Sequence, residues 1–380
     1  MRVTGIFSFF AGLYLLVPGA AAAPTEAPAA AKTPLAVEEI AGGLEHPWAL
    51  AFLPDGRFLV SERPGRLRIV TRDGQLSPPI AGLPKVVTGG QAGLFDVLPA
   101  RDFATSGTLY FAYAEPREEY RNGTAVGRGK LRLDGRGGTL SGVEVIFRQQ
   151  PAIASHNHFG GRLVWGRDGT LFITLGERAS ERDSAQDLST HLGKVVRINA
   201  DGTVPADNPF FGAKDVRPEI YSYGHRNPQG AALHPATGVL WTTEHGARGG
   251  DELNAIAAGK NYGWPVITWG VGYDGKPIGE GTRKDGMEQP VYYWTPSIAT
   301  SGLSFYDGEL FAGWKGNALI GGLAGGQLER LVLEGENVVG VEALLGDRKA
   351  RVRDVRQGPD GAVYVLTDEK NGKLLRLSPR

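Results

Sequence analysis

Cysteine is absent from the 380 residues, which excludes disulfides, thiolate-held zinc, iron–sulfur clusters, thiol catalysis and a cysteine-linked lipid anchor. Net charge is absent as well. The 41 Lys and Arg balance 41 Asp and Glu, so no global field recruits nucleic acid, and none is expected as a partner. Long apolar runs are missing too. The stretch from Ile6 to Val17 falls well short of the roughly 20 residues that span a bilayer, so no membrane span is expected. Arg2, that stretch and the small residues Ala20 to Ala23 before Pro24 form the three-part pattern of a cleaved export signal over residues 1–23. The expected location is therefore periplasmic or secreted. Residues 24–36, rich in Ala and Pro, read as a flexible lead-in.

What the chain has in excess is glycine, with 56 residues, about twice the usual share of roughly 7%. Convincing amphipathic helices are scarce, and one phrase recurs instead: an apolar strand, a turn usually carrying Asp-Gly, and a second strand rich in β-branched and aromatic residues. Six copies read WALAFLPDGRFLVSE, GLFDVLPARDFATSGTLYFAYAE, GRLVWGRDGTLFITLGE, GAALHPATGVLWTTE, GLSFYDGELFAGW and VRDVRQGPDGAVYVLTD. Their turn glycines, Gly56, Gly107, Gly169, Gly238, Gly308 and Gly361, are spaced by 51, 62, 69, 70 and 53 residues. Each interval accommodates four short strands, which argues against a doubly wound sheet or a (β/α) barrel. The expected fold is all-β, a six-bladed β-propeller with four-stranded blades over residues 37–380. Near-continuous apolar strands such as Leu171 to Leu175 suit blades buried on both faces. LAVEEIAG at 35–42 precedes the first copy and KLLRLSP at 373–379 ends the last, so the two ends of the chain are expected to share a blade. Two stacked β domains are the competing arrangement.

If each copy opens on an innermost strand, the residues just before it lie at one mouth of a central channel. Those residues are Gln91, then His156, Asn157 and His158, then Arg226 and Asn227, and in the sixth copy Arg351 and Arg353. Three guanidinium groups, an imidazole and amides gathered in a neutral protein suit an anionic guest rich in oxygen acceptors. Any one of these arginines alone would read as a solvated surface charge, and His158 alone as a structural histidine; it is the shared register that sets them apart. The His156 and His158 pair lacks a third soft ligand at a metal-binding spacing. After the fourth copy, the loop TEHGARGGDELNAIAAGKNYGWP places Glu244, Asp251 and Glu252 among glycines. Hard oxygen ligands there suit calcium, or form an ordinary acidic loop. Gly270 to Gly275 matches GxGxxG in form but lacks the strand and helix context of a dinucleotide site and reads as loop. Asn122-Gly123-Thr124 is a glycosylation sequon.

HFGGRLVWGRDGTLFITLGE, HLGKVVRINADGTVPADNPF, GHRNPQG, GGDELNAIAAGKNYGWP and RVRDVRQGPDGAVYVLTDE together resemble the soluble pyrroloquinoline-quinone-dependent sugar dehydrogenases, in particular the bacterial aldose sugar dehydrogenase branch. The resemblance covers most of residues 40–380. It implies a six-bladed propeller that binds pyrroloquinoline quinone (PQQ) and calcium and oxidises an aldose at its anomeric carbon to a lactone. By motif, His158 matches the general base, Glu177 the acid that orients it, and Arg226 and Asn227 the pair at the quinone's reactive carbonyls. Gln91, Asn157, Tyr273, Arg351 and Arg353 match further cofactor contacts. The carbonyls of Gly246 and Ala247 match a catalytic calcium site, and Glu252 with Tyr262 a second, structural one. One departure stands in IGGLAGGQL, where the resemblance puts a cofactor-binding Lys and this chain has Ala324. The implied partners are an aldose and an electron acceptor; a monomeric chain is expected because no extended apolar surface strand is evident in the sequence. A calcium-dependent propeller lactonase and a non-catalytic binding propeller are the alternative readings; neither needs a redox cofactor, and the first does not need three arginines.

Overall fold

A computed structural model of the chain describes residues 27–380; the expected export signal at 1–23 lies outside the described residues. Six antiparallel sheets follow one another along the chain, five with four strands and one with three. Their innermost strands are Pro47–Phe52, Leu94–Pro99, Leu163–Trp165, Pro228–Leu233, Thr300–Phe305 and Val352–Gln357. Each packs on the next, and the sixth returns to the first. The sheets are thus blades 1 to 6 of a closed propeller, which decides against two stacked domains. The ring closes as the sequence predicts: Leu35–Leu44 pairs antiparallel with Gly372–Pro379 and forms the outer strand of blade 6.

The second strands explain the apolar runs. Phe58–Glu62, Leu171–Leu175, Leu240–Glu244 and Val363–Thr367 are buried at every position because blades cover both of their faces. Three details depart from the sequence reading. Blade 1 has only three regular strands; in the fourth place, Ser77 N–H bonds Ile69 O at 2.8 Å and Ile80 N–H bonds Leu67 O at 2.8 Å. Pro78 and Pro79 between them bring no N–H, so no ladder forms. In the fifth copy, the residues after Gly308 are not a strand. Phe311 and Trp314 stack at 4.1 Å beside Tyr306 within the apolar core between blades 5 and 6, and the second strand starts later, at Ala318–Gly322. Finally, the lead-in is bound over its described part. Ala30 N–H bonds Val341 O at 2.9 Å, and Trp314 Nε1 donates to Thr33 Oγ1 at 3.1 Å.

Because neighbouring strands are antiparallel, one mouth of the ring collects two sets of residues: those entering the inner strands and those leaving the second strands. The site is built from both sets.

Candidate active site

His158 enters blade 3 in a left-handed conformation, φ 48°. Its N–H donates to Gln91 Oε1 at 2.8 Å, which ties it to blade 2. Two glycines make room for the loop. A Cβ on Gly160 would lie 2.5 Å from Thr174 O, and one on Gly176 2.2 Å from His158 O. The second strand of blade 3 can therefore deliver Glu177 directly beneath the imidazole, where His158 Nδ1 meets Glu177 Oε1 at 3.0 Å. The other carboxylate oxygen accepts from Ala179 N–H. With Nδ1 engaged by a carboxylate, the proton sits on Nδ1 and Nε2 is left as a lone-pair base facing the cavity. Burial, aided by Arg226 and Arg178, outweighs the carboxylate and moves His158 below the ordinary imidazole value of 6.5. The base is neutral at pH 7.

The cavity in front of it measures about 580 Å³ and is walled by Gln91, Asn157, His158, Glu177, Arg226, Ala247 and Tyr273, among others. Arg226 is fixed on three sides. Its N–H donates to Glu244 Oε2 at 2.7 Å, Nη1 to His245 O at 3.1 Å, and Nη2 reaches the Tyr273 hydroxyl at 3.4 Å. Asn227 lies behind the wall, fully buried, with Oδ1 accepting from Gly160 N–H at 3.2 Å. The GxGxxG stretch is loop, as expected, and carries Tyr273 into this wall. A second cavity of about 520 Å³ opens at the far end of the inner strands beside Tyr110 and Trp165. Its cations Arg101, Arg128 and Lys130 are all engaged by protein oxygens, so it offers no reactive group.

Residues of blades 2 to 4 meet at this cavity, and those of blade 6 stand outside its wall. Neither Arg351 nor Arg353 lines the cavity around His158. Arg353 is buried and held by Asp368, with Nη1 donating across the channel to Gln229 Oε1 at 2.6 Å. Arg351 is half-exposed and donates to Leu323 O at 3.3 Å. A third guanidinium joins them: Arg63, whose Nη1 donates to Gly90 O at 2.9 Å, lies within electrostatic reach of both and of Asp368. Counting back from the turn missed Arg63 because it leaves a second strand. A signal was present, since the copies that form regular hairpins all end on an acid: Glu62, Glu115, Glu177, Glu244 and Asp368. Three of these acids hold a histidine Nδ1, namely Glu177 with His158, Glu244 with His225 at 3.0 Å and Asp368 with His46 at 2.8 Å. The His225 ring is closed off by Ser222, and only His158 lines the cavity.

The acidic loop is divided in its roles. Asp251 is spent on Gly246 N–H, Ser297 Oγ and Thr300 N–H. Glu252 faces Glu244 directly across the strand pair of blade 4. Burial and that like charge push the Glu252 carboxyl up to about 8. Glu252, Tyr262 and Gly246 share a void of about 10 Å³. The Tyr262 hydroxyl is itself occupied, donating to Ala255 O and accepting from Ala257 N–H. Among the described residues, no group of three or more His, Asp or Glu side chains is arranged to hold a metal.

A family profile, that of the glucose/sorbosone dehydrogenases, matches residues 44–376. The chain belongs to that family. Its relatives named as aldose sugar and glucose dehydrogenases support a sugar dehydrogenase over the lactonase and binding-module readings. It is 47% identical over 357 residues to the aldose sugar dehydrogenase YliI of Escherichia coli, an alignment covering 92% of this chain and 95% of that protein. A solved glucose dehydrogenase shares 54% identity with a TM-score of 0.87, covering 90% of this chain and 99% of that one. The PQQ-bound aldose sugar dehydrogenase of Streptomyces coelicolor shares 28% identity with a TM-score of 0.75, covering 92% and 100%.

The dehydrogenase's own residues fit such a cofactor. Arg226 Nε, Asn227 Nδ2 and Trp264 Nε1 are buried donors with no acceptor among the described residues, and a buried donor without a partner costs about 1–3 kcal/mol. Three such donors beside one cavity call for an acceptor-rich guest. The Glu244 and Glu252 pair, with no basic side chain on Glu252, calls for a cation. No helix among the described residues is long and apolar enough to cross a membrane.

Proposed function

We propose that this chain is a PQQ- and calcium-dependent dehydrogenase that oxidises aldose sugars at the anomeric carbon to lactones. The observation that carries the reading is the His158–Glu177 dyad, which turns a neutral Nε2 into a cavity shared with Arg226 and unpaired donors. When bound, the quinone supplies a hydride acceptor and calcium a Lewis acid. His158 Nε2 takes the proton of the anomeric hydroxyl, and Glu177 steadies the imidazolium that results. Arg226, already oriented by Glu244 and His245, offers its guanidinium to negative charge developing on the cofactor side. Gln91 sets the height of the base through the His158 backbone, while Asn157, Asn227 and Tyr273 complete the cofactor wall. Gly246 and Ala247 carbonyls and Glu252 with Tyr262 would hold the two calcium ions. Arg351, Arg353 and Arg63 form a cationic flank for the cofactor's carboxylates, in which Ala324 supplies no charge.

The test is reconstitution. Purified chain given PQQ and calcium should reduce a dye when an aldose is added, and its quinone absorption should bleach on glucose addition. His158→Ala should cost about a hundredfold or more in turnover; turnover within a few-fold of wild type would remove His158 from this role. We also read the chain as an exported monomer. A mature N-terminus near Pro24 and a single-chain mass in sedimentation would bear this out.

A further inference from the structure

The mechanism above leaves the neighbour of Glu177 without a role. Arg178 is fully buried, and its fork is filled by neutral oxygens rather than by a carboxylate. Nε donates to Asn157 O at 3.0 Å, Nη1 to Asn122 O at 3.1 Å, and Nη2 to Asn122 Oδ1 at 2.6 Å and to Ser155 O. The guanidinium lies 3.9 Å over the Phe159 ring. In return, Ser155 Oγ donates to Arg178 O at 2.7 Å. The sequon asparagine is accounted for on the way: Asn122 is buried as a partner of this arginine.

Two turns meet at this guanidinium, and both are strained. Arg178 and Ala179 have φ of 69° and 65°, and His158 has 48°, a region that non-glycine residues avoid unless their surroundings hold them there. The fork is what joins the turn before His158 to the turn after Glu177. Neutral donors would serve a purely structural clamp, and burying a charge that no carboxylate hydrogen-bonds, with Glu177 acting on it only through space, is costly. The charge therefore calls for a reason of its own, and the dyad beside it supplies one. The charged or titratable groups around the imidazole are Glu177, Arg226, Arg178 and His245, and Arg178 alone among them also anchors the His158 loop.

We propose that Arg178 is a positioning residue for the His158 base: its fork locks the loop against blade 2, and its charge, bonded by no carboxylate, disfavours the imidazolium. The proposal rests on reading His158 as the base, and its test separates the two. The His158 ring is titrated by NMR in the full chain without quinone, its signal among the seven histidines assigned by loss in His158→Ala. Asn122→Asp keeps a hydrogen bond to Arg178 but sets a carboxylate against it, cancelling its field; the His158 midpoint should rise by about half a unit or more. Arg178→Lys keeps the charge and loses the fork. Its midpoint should stay at the wild-type value, while turnover in the loaded enzyme falls on the order of tenfold with little change in sugar KM. These two variants decide the matter between them. An unmoved midpoint in Asn122→Asp, or full turnover in Arg178→Lys, overturns the proposal. Absence of dye reduction in the wild type would instead overturn the functional reading and leave the NMR result to stand.

Discussion

Two residues pull on the His158 proton in opposite directions, and that makes the dyad testable by titration alone. The hydrogen bond from Glu177 raises the imidazole pKa, and the positive charge of Arg226 lowers it, with burial deciding the net downward shift. Activity that needs neutral His158 is full above its pKa and falls as the pH drops through it, so the acid limb of kcat/KM should lie below 6.5. Glu177→Gln removes the raising contribution and should move that limb to lower pH while cutting turnover, because an amide can also hold the wrong tautomer. Arg226→Ala removes a lowering one and should move the limb up. It should also cost roughly 3 kcal/mol of transition-state stabilisation as the oxyanion partner. Limbs that move together, or not at all, in pH profiles of the two reconstituted variants would show that another group titrates.

At the scale of elements, the site depends on a short turn that no motif announces. Lys194 opens the third strand of blade 3 and is fully buried, with Nζ donating to Ser184 O at 3.0 Å, Ala185 O at 3.0 Å and Leu192 O at 2.6 Å. Burial pulls its ammonium down to about 7. The pinned 3-10 turn, Arg182–Gln186, reaches blade 4 through Gln186 Nε2, which donates to Trp264 O at 2.8 Å, and Trp264 stands in the cavity wall. Lys194→Met leaves three carbonyls without their donor and should destabilise the fold by about 3 kcal/mol or more. Urea unfolding reads this directly, and an unchanged midpoint would show that the turn holds itself. Lys194 also shows what the sequence hides. Blades were legible because Asp-Gly turns and apolar runs recur locally, as in Leu171 to Leu175. The pairing of Leu35–Leu44 with Gly372–Pro379 was legible because two strand-like ends were left over. The fifth hairpin was misread since Phe311 and Trp314 look like strand residues until they stack on each other. At the site, register found His158, Arg226 and Gln91, which wall one cavity. Register also named Arg353, but could not show its hold on Asp368, 15 residues on.

For the whole molecule, six blades must agree on one axis, and a single side chain connects most of them. Arg162, from blade 3, is fully buried. It lies 4.2 Å over the Trp48 ring of blade 1 and donates through Nε to Gln229 O of blade 4 at 3.1 Å. Its Nη1 stands 3.4 Å from Asp96 of blade 2 and 3.2 Å from Asp354 of blade 6. The two aspartates reach further, each accepting a strand N–H from another blade: Leu163 N–H on Asp96 at 2.9 Å and Leu50 N–H on Asp354 at 3.0 Å. Only Arg356 remains as a second cation for them. Arg162→Met therefore leaves two buried carboxylates sharing one guanidinium, which should cost about 3–5 kcal/mol. Arg376 and Asp360 are bonded more closely, at 2.8 Å, but are partly exposed, so Arg376→Ala should cost no more than about 1 kcal/mol. Adding Asp96→Asn to Arg162→Met removes one stranded charge and should recover part of the loss, a coupling that independent sites would not show. Denaturant unfolding of the wild type, Arg162→Met, Asp96→Asn, their double variant and Arg376→Ala measures all three quantities. If Arg162→Met unfolds at the wild-type midpoint, or Asp96→Asn adds to the damage instead of relieving it, the blades are held in register by their apolar faces alone.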